Sequence, residues 1–178
     1  QFDVLAAQFA IDGVEALPLI AIGFVLVGFG FKVSAAPFHF AAPDAYSGAS
    51  SPIAGILATA SKAMGIIGLL RMLLIVASPE ASEDGTVWLT LLGLIALVTM
   101  TWGNIAALGS TNPKRMLAYS SVAHAGYMLA AITAIGAWNW DDSLAGDSGE
   151  SAIAVLTALI FHLVVLVAFK LGAFLVLS

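Results

Sequence analysis

Three of the four lysines, Lys32, Lys62 and Lys170, stand in or at the edge of runs that are otherwise apolar. Lys62 interrupts PIAGILATASKAMGIIGLLRMLLIVA about ten residues from its start, near the middle of a helix that rises about 1.5 Å per residue and crosses a membrane. A lysine at that depth costs roughly 2.5–3.5 kcal/mol on insertion scales, and such a residue normally faces protein or water and marks an ion route. The plainer alternative is a stem that snorkels to the interface, a long reach from mid-helix.

Lys32 closes the run VEALPLIAIGFVLVGFGFK, just before VSAAPFHF. Snorkelling is a closer rival here. Pro37 and Pro43 interrupt the connector, yet it is too apolar to be plainly aqueous. A helix broken inside the membrane accounts for both features, because irregular backbone is tolerated at that depth where it lines a cavity. Lys32 would then stand beside the break, with His39 on its far side.

His162 and Lys170 are eight apart in AVLTALIFHLVVLVAFKLGAF. That spacing is about 12 Å of rise and about 80° of rotation, so the two share one broad face. It suits proton sites joined by water. The alternative is a satisfied interior histidine and an unrelated interfacial lysine. Tyr119, Ser120, Ser121 and His124 add a polar strip to another apolar run, where His124 is either a relay group or a hydrogen-bonded packing residue. Burial disfavours an ammonium ion and a nearby carboxylate favours it, so moving a carboxylate loads or unloads a buried lysine. Histidine changes charge near neutral pH without such help. No acid lies inside the runs that carry Lys62, His124, His162 and Lys170, so a partner carboxylate must come from elsewhere.

The elements that position these groups are apolar helices. The mean hydropathy is +1.03, 61% of the residues are hydrophobic and 10% are charged, against roughly a quarter charged in a soluble domain. Several runs reach about twenty residues, enough to span a bilayer as a helix. They are too continuous for alternating barrel strands. The expected fold is an all-α membrane protein, a polytopic bundle of about five helices with one broken, in a single transmembrane domain over 1–178. The segments lie at about 14–36 (the apolar part Val14 to Lys32), 52–77, 87–108, 114–137 and 151–178. Pro52 suits a first turn and Asn112 a cap. The chain opens QFDVLAAQFAIDG and closes LGAFLVLS in mid-run, so a piece of a longer polypeptide is expected.

The connectors alternate between two sides. One carries Asp3, Asp12, Glu15, Glu80, Glu83, Asp84, Asp141, Asp142, Asp147 and Glu150, and the other carries Lys114 and Arg115. The positive-inside rule makes the second side cytoplasmic, and Trp138 and Trp140 suit the outer interface. The acidic loops read as a solvated face, or as an adaptation to high salt. There is no cysteine, so no thiolate metal site or disulfide. Three histidines on separate segments make no spaced metal motif. No phosphate-binding glycine loop is present, and an acidic chain does not favour nucleic acid.

Three stretches go beyond a generic membrane helix: GFKVSAAPFHFAAPDAYSGASSPIAGILATASKAMGIIGLLR, LVTMTWGNIAALGSTNPKRMLAYSSVAHAGYML and FHLVVLVAFKLGAFLV. Their patterns, FK-x4-PFH-x3-PD-x-Y-x-G-x3-P followed by ATASK, and N-x-KR-M-L-A-Y-S-S-x-A-H-x-G-Y, resemble the antiporter-like membrane subunits of respiratory complex I, most closely the N-type NADH-quinone oxidoreductase subunits. Subunits of multi-subunit Na⁺/H⁺ antiporters and of membrane-bound hydrogenases share the wider fold. The resemblance implies about fourteen helices arranged as inverted repeats of about five. On it, the first segment here matches the family's broken seventh helix and the other four match the eighth to eleventh. Lys32 then matches the lysine beside the break, whose glutamate partner lies outside this chain, and Lys62 the central relay lysine. His124 matches the histidine of the YSSxAH motif, and His162 and Lys170 the pair best known in sister subunits. His39 belongs to the same expected relay.

The implied function is proton translocation coupled to quinone reduction elsewhere in a membrane complex, within a multi-pass chain of the cell membrane. The resemblance implies no redox centre, cofactor, nucleotide or quinone site in this chain, and other membrane subunits as its partners. A cation/proton antiporter without electron transfer and a structural membrane spacer are the rival readings.

Overall fold

The computed structural model describes residues 16–76, 85–140 and 148–177. Every regular element among them is helical. Helix α1 is Ala16–Val33, α2 is Ala41–Gly48 and α3 is Ser51–Ile56, which runs through a π-helical turn, Leu57–Ser61, into α4, Lys62–Val76. Helices α5, Gly85–Leu108, α6, Pro113–Trp140, and α7, Ser148–Val176, complete the chain. Four stretches are long and apolar enough to cross a membrane: Ser51–Leu73, Trp88–Leu108, Pro113–Ala137 and Glu150–Val176. Gly23–Val33 is a shorter apolar helix. The acidic residues at 3, 12, 15, 80, 83, 84, 141, 142 and 147 lie outside the described residues, as do the side chains of Trp138 and Trp140.

The end of α1 follows from hydrogen bonding. Ser34 takes a left-handed conformation (φ 61°). Its N–H donates to Phe31 O at 3.1 Å, and Ala35 N–H donates to Gly30 O at 2.8 Å, the paired bonds that close a helix around a left-handed residue. Glycine is usual at such a position, and a serine there carries steric strain. The chain then turns through the Ala36–Pro37 segment before α2 begins. This interruption is the break expected at Pro37, set a few residues earlier by Ser34, whereas Pro43 falls inside α2 near its start.

Pro52 lies in the first turn of α3, where a missing N–H costs nothing. Asn112 caps α6: its Oδ1 accepts from Lys114 N–H at 2.9 Å and Arg115 N–H at 3.4 Å. Antiparallel α5 and α6 approach closely through glycine. A Cβ on Gly126 would stand 2.5 Å from Met100 N, and one on Gly103 the same distance from Ala123 N. Van der Waals packing of small residues is what holds helices together where lipid surrounds them.

One apolar core joins Val33, Ile66, Leu69, Leu92, Met128, Leu129, Ile132 and Leu163. A second joins Ala42, Tyr46, Ala54, Ala58, Ala118 and Phe174 at the α2–α3 end. Phe24, Phe31, Met64, Leu108 and Phe161 face outward, as expected of helices whose surroundings are lipid or further apolar protein. The fold is thus an all-helical membrane bundle with a broken first helix, and its polar side chains gather along α6.

Candidate proton-transfer site

Two amines are wholly enclosed. Lys62 is 1% exposed and Lys170 0%. Lys62 reaches from α4 to α6, where its Nζ donates to the backbone oxygen of Ser121 at 2.9 Å. The same Nζ lies 5.9 Å from the Tyr46 ring centroid, within range of a cation–π contact. Lys170 reaches from α7 to the preceding turn of α6, where its Nζ donates to Ser120 Oγ at 2.7 Å and to Leu117 O at 3.2 Å. Leu117 and Ser121 are four apart, so both amines rest on consecutive turns of one helix. A carbonyl oxygen has two lone pairs and can accept an amine while it stays in the helical ladder. Backbone carbonyls thus accept from both amines. Among the described residues the salt bridge is Arg115–Asp44, at 2.8 Å on the surface, and neither buried amine has a carboxylate partner.

One turn further along α6, His124 Nδ1 lies 3.3 Å from His162 Nε2 of α7. Tyr127 packs edge-on against His124, with centroids 5.6 Å apart, and Asn104 Nδ2 donates to Tyr127 Oη at 2.8 Å. The antiparallel run of α6 and α7 explains the register: residue 170 meets 117 and 120, and residue 162 meets 124. Four titratable groups from three helices therefore lie along one stripe of α6, about 10 Å long at the helical rise. The shared face of His162 and Lys170 is the face turned to α6.

The two groups at the break are placed differently. Lys32 is exposed, with its stem lying across Gly65 of α4, where a Cβ would come within 3.1 Å of Lys32 Cγ. The structure does not bring its amine into hydrogen bonding with the stripe. His39 is buried, stacked on Phe40 at 4.8 Å and 6.0 Å from the Trp102 ring. Its Nδ1 has no hydrogen-bond partner. A buried polar nitrogen of that kind ordinarily meets a water or another group.

Several contributors carry no obvious sequence signal. Thr99 is fully buried on α5. It accepts from Ala36 N–H at 2.9 Å, inside the break, and donates to Ile95 O at 2.6 Å. Tyr46 belongs to the quoted PD-x-Y pattern, yet its contact with the π turn is not readable from residue types. No described group of three or more His, Cys, Asp or Glu could hold a metal ion.

A family model described as "NADH:quinone oxidoreductase/Mrp antiporter, TM" matches residues 1–167. NADH-quinone oxidoreductase subunit N 2 of Roseiflexus castenholzii is 44% identical over 151 residues, covering 84% of this chain and 28% of that protein. The protein of the same name from Solibacter usitatus is 42% identical over 175 residues, covering 98% of this chain and 31% of its own length. NADH-quinone oxidoreductase subunit N of Heliobacterium modesticaldum is 51% identical over 110 residues, covering 62% and 23%. The chain thus spans less than a third of the length of these relatives. With the match over 1–167 and the helices described above, the chain belongs to the NADH:quinone oxidoreductase/Mrp antiporter transmembrane family, as a multi-pass membrane protein.

Proposed function

We propose that this chain is the central part of a proton-translocating membrane subunit of a complex I-like quinone reductase, fed by NADH or another donor. The observation that carries the reading is the pair of enclosed amines, Lys62 and Lys170, on consecutive turns of α6 with the His124–His162 pair beyond them. Two ammonium ions held on consecutive turns of one helix repel each other. A proton arriving at Lys62 therefore tends to drive one off Lys170, and Ser120 and the histidines give it somewhere to go. Lys32, beside the break, is the group whose distance from an outside carboxylate would load Lys62, and His39 is a relay group on the far side.

Electron transfer takes place on other subunits, and this chain supplies no redox centre. The side bearing Lys114 and Arg115 is cytoplasmic. The names of the relatives support the oxidoreductase assembly. The family description also covers Mrp antiporters, so the second reading is cation/proton exchange without electron transfer. Iron–sulfur subunits in the purified complex favour the first reading, and their absence favours the second. The test of the site is Lys62→Ala in the full-length subunit, with the assembled complex reconstituted in vesicles. Proton uptake per quinone reduced should fall at least tenfold, and normal pumping would remove Lys62 from the route.

A further inference from the structure

Lys62 is the first residue after the π-helical turn Leu57–Ser61. A π turn departs from the regular i→i−4 ladder, and such turns occur mostly as single bulges inside α-helices, frequently at functional sites. Three hydroxyls attend to it. Thr59 Oγ1 donates to Gly55 O at 2.7 Å, Tyr46 Oη to Leu57 O at 3.1 Å and Ser121 Oγ to Ala58 O at 3.3 Å. Thr59 belongs to the turn itself, whereas Tyr46 comes from α2 and Ser121 from α6. Tyr46 is 5% exposed, and its ring also meets Phe174 of α7 edge-on at 6.3 Å. Ser121 acts at both ends: its hydroxyl holds the turn and its carbonyl holds the Lys62 amine.

We propose that the Tyr46 and Ser121 hydroxyls are positioning groups for Lys62, which keep the π turn open so that the amine points at α6. Returning the turn to regular α geometry would rotate everything after it by about 100°, enough to carry Lys62 away from Ser121. Tyr46 lies just past the break after α1, so a shift at the break reaches Lys62 through the phenol. The inference rests on the proton-transfer reading above.

The test uses Tyr46→Phe and Ser121→Ala in the full-length subunit of the complete, vesicle-reconstituted complex, with Lys62→Ala as reference. Each variant keeps its backbone and most of its packing and loses one hydroxyl. Expected for both are assembly, pumping per quinone reduced lowered about two- to tenfold, a displaced pH dependence of pumping, and faster amide exchange over 57–62. Wild-type pumping, pH dependence and exchange in Tyr46→Phe, beside a pumping defect in Lys62→Ala, would overturn the inference and leave the proton reading intact. Normal pumping in Lys62→Ala would overturn the proton reading, and the inference with it. Should Tyr46→Phe not assemble, Ser121→Ala decides by the same readouts, and wild-type behaviour there overturns the proposal.

Discussion

His124 on α6 and His162 on α7 face each other nitrogen to nitrogen at 3.3 Å, with Tyr127 edge-on behind His124. A contact of that length places one proton between two rings, so one nitrogen donates and the other accepts. Groups that work as one unit lose function together. His124→Ala and His162→Ala are expected to lower proton pumping by similar factors, with the double variant no worse than either alone. Pumping by single and double variants in vesicles checks this, and multiplying defects would separate the two rings.

Thr99 accepts a hydrogen bond that ties the break to α5. Thr99→Val keeps the shape but leaves the Ala36 N–H buried without an acceptor, at a cost of about 1–3 kcal/mol. Thr99→Ser keeps the acceptor. The valine variant should lower the thermal midpoint of the purified complex and speed amide exchange over 34–40, and the serine variant should do neither.

The α5–α6 contact at Gly126 leaves no room for a side chain. Gly126→Val would drive a branched side chain into the Met100 backbone, and overpacking of this kind costs about 1–3 kcal/mol or more. Reduced assembly in the membrane, measured by recovery of intact complex, is the expected outcome.

Much of the stripe was legible because lysine and histidine within apolar runs stand out. Lys62, Lys170, His124 and His162 were found that way, and the structure brings all four to α6. What receives the amines was not legible. Leu117 and Ser121 offer backbone carbonyls, which every residue possesses, so no residue type signals them. The position of the break was half legible. Pro37 marks it, but Pro43 lies within α2, and the left-handed residue that ends α1 is a serine, without the usual glycine mark. The π turn has no signature in LATAS, and two of the hydroxyls that bond to it, on Tyr46 and Ser121, come from other helices. Lys32 shows the converse: its type and place suggested a relay beside the break, yet the residue is exposed.

Sidedness can be checked with a single introduced cysteine in a full-length subunit otherwise freed of cysteine. Ser110→Cys, in the loop before α6, should react with an impermeant maleimide from the cytoplasmic face only. Labelling from the outer face would invert the topology. Arg115→Ala, which removes the exposed ion pair to Asp44, should change stability by no more than about 1 kcal/mol.

The most direct measurement is proton pumping by Lys62→Arg in the assembled, vesicle-reconstituted complex. Arginine keeps a cation against Ser121 but cannot give up its proton in a protein. A site that only needs a positive charge to fix helix packing would tolerate it. A site that must gain and lose a proton would not. The expected result is an assembled complex whose pumping per quinone reduced falls at least tenfold, as in Lys62→Ala. Pumping at the wild-type rate by assembled Lys62→Arg would contradict the claim that this amine carries protons.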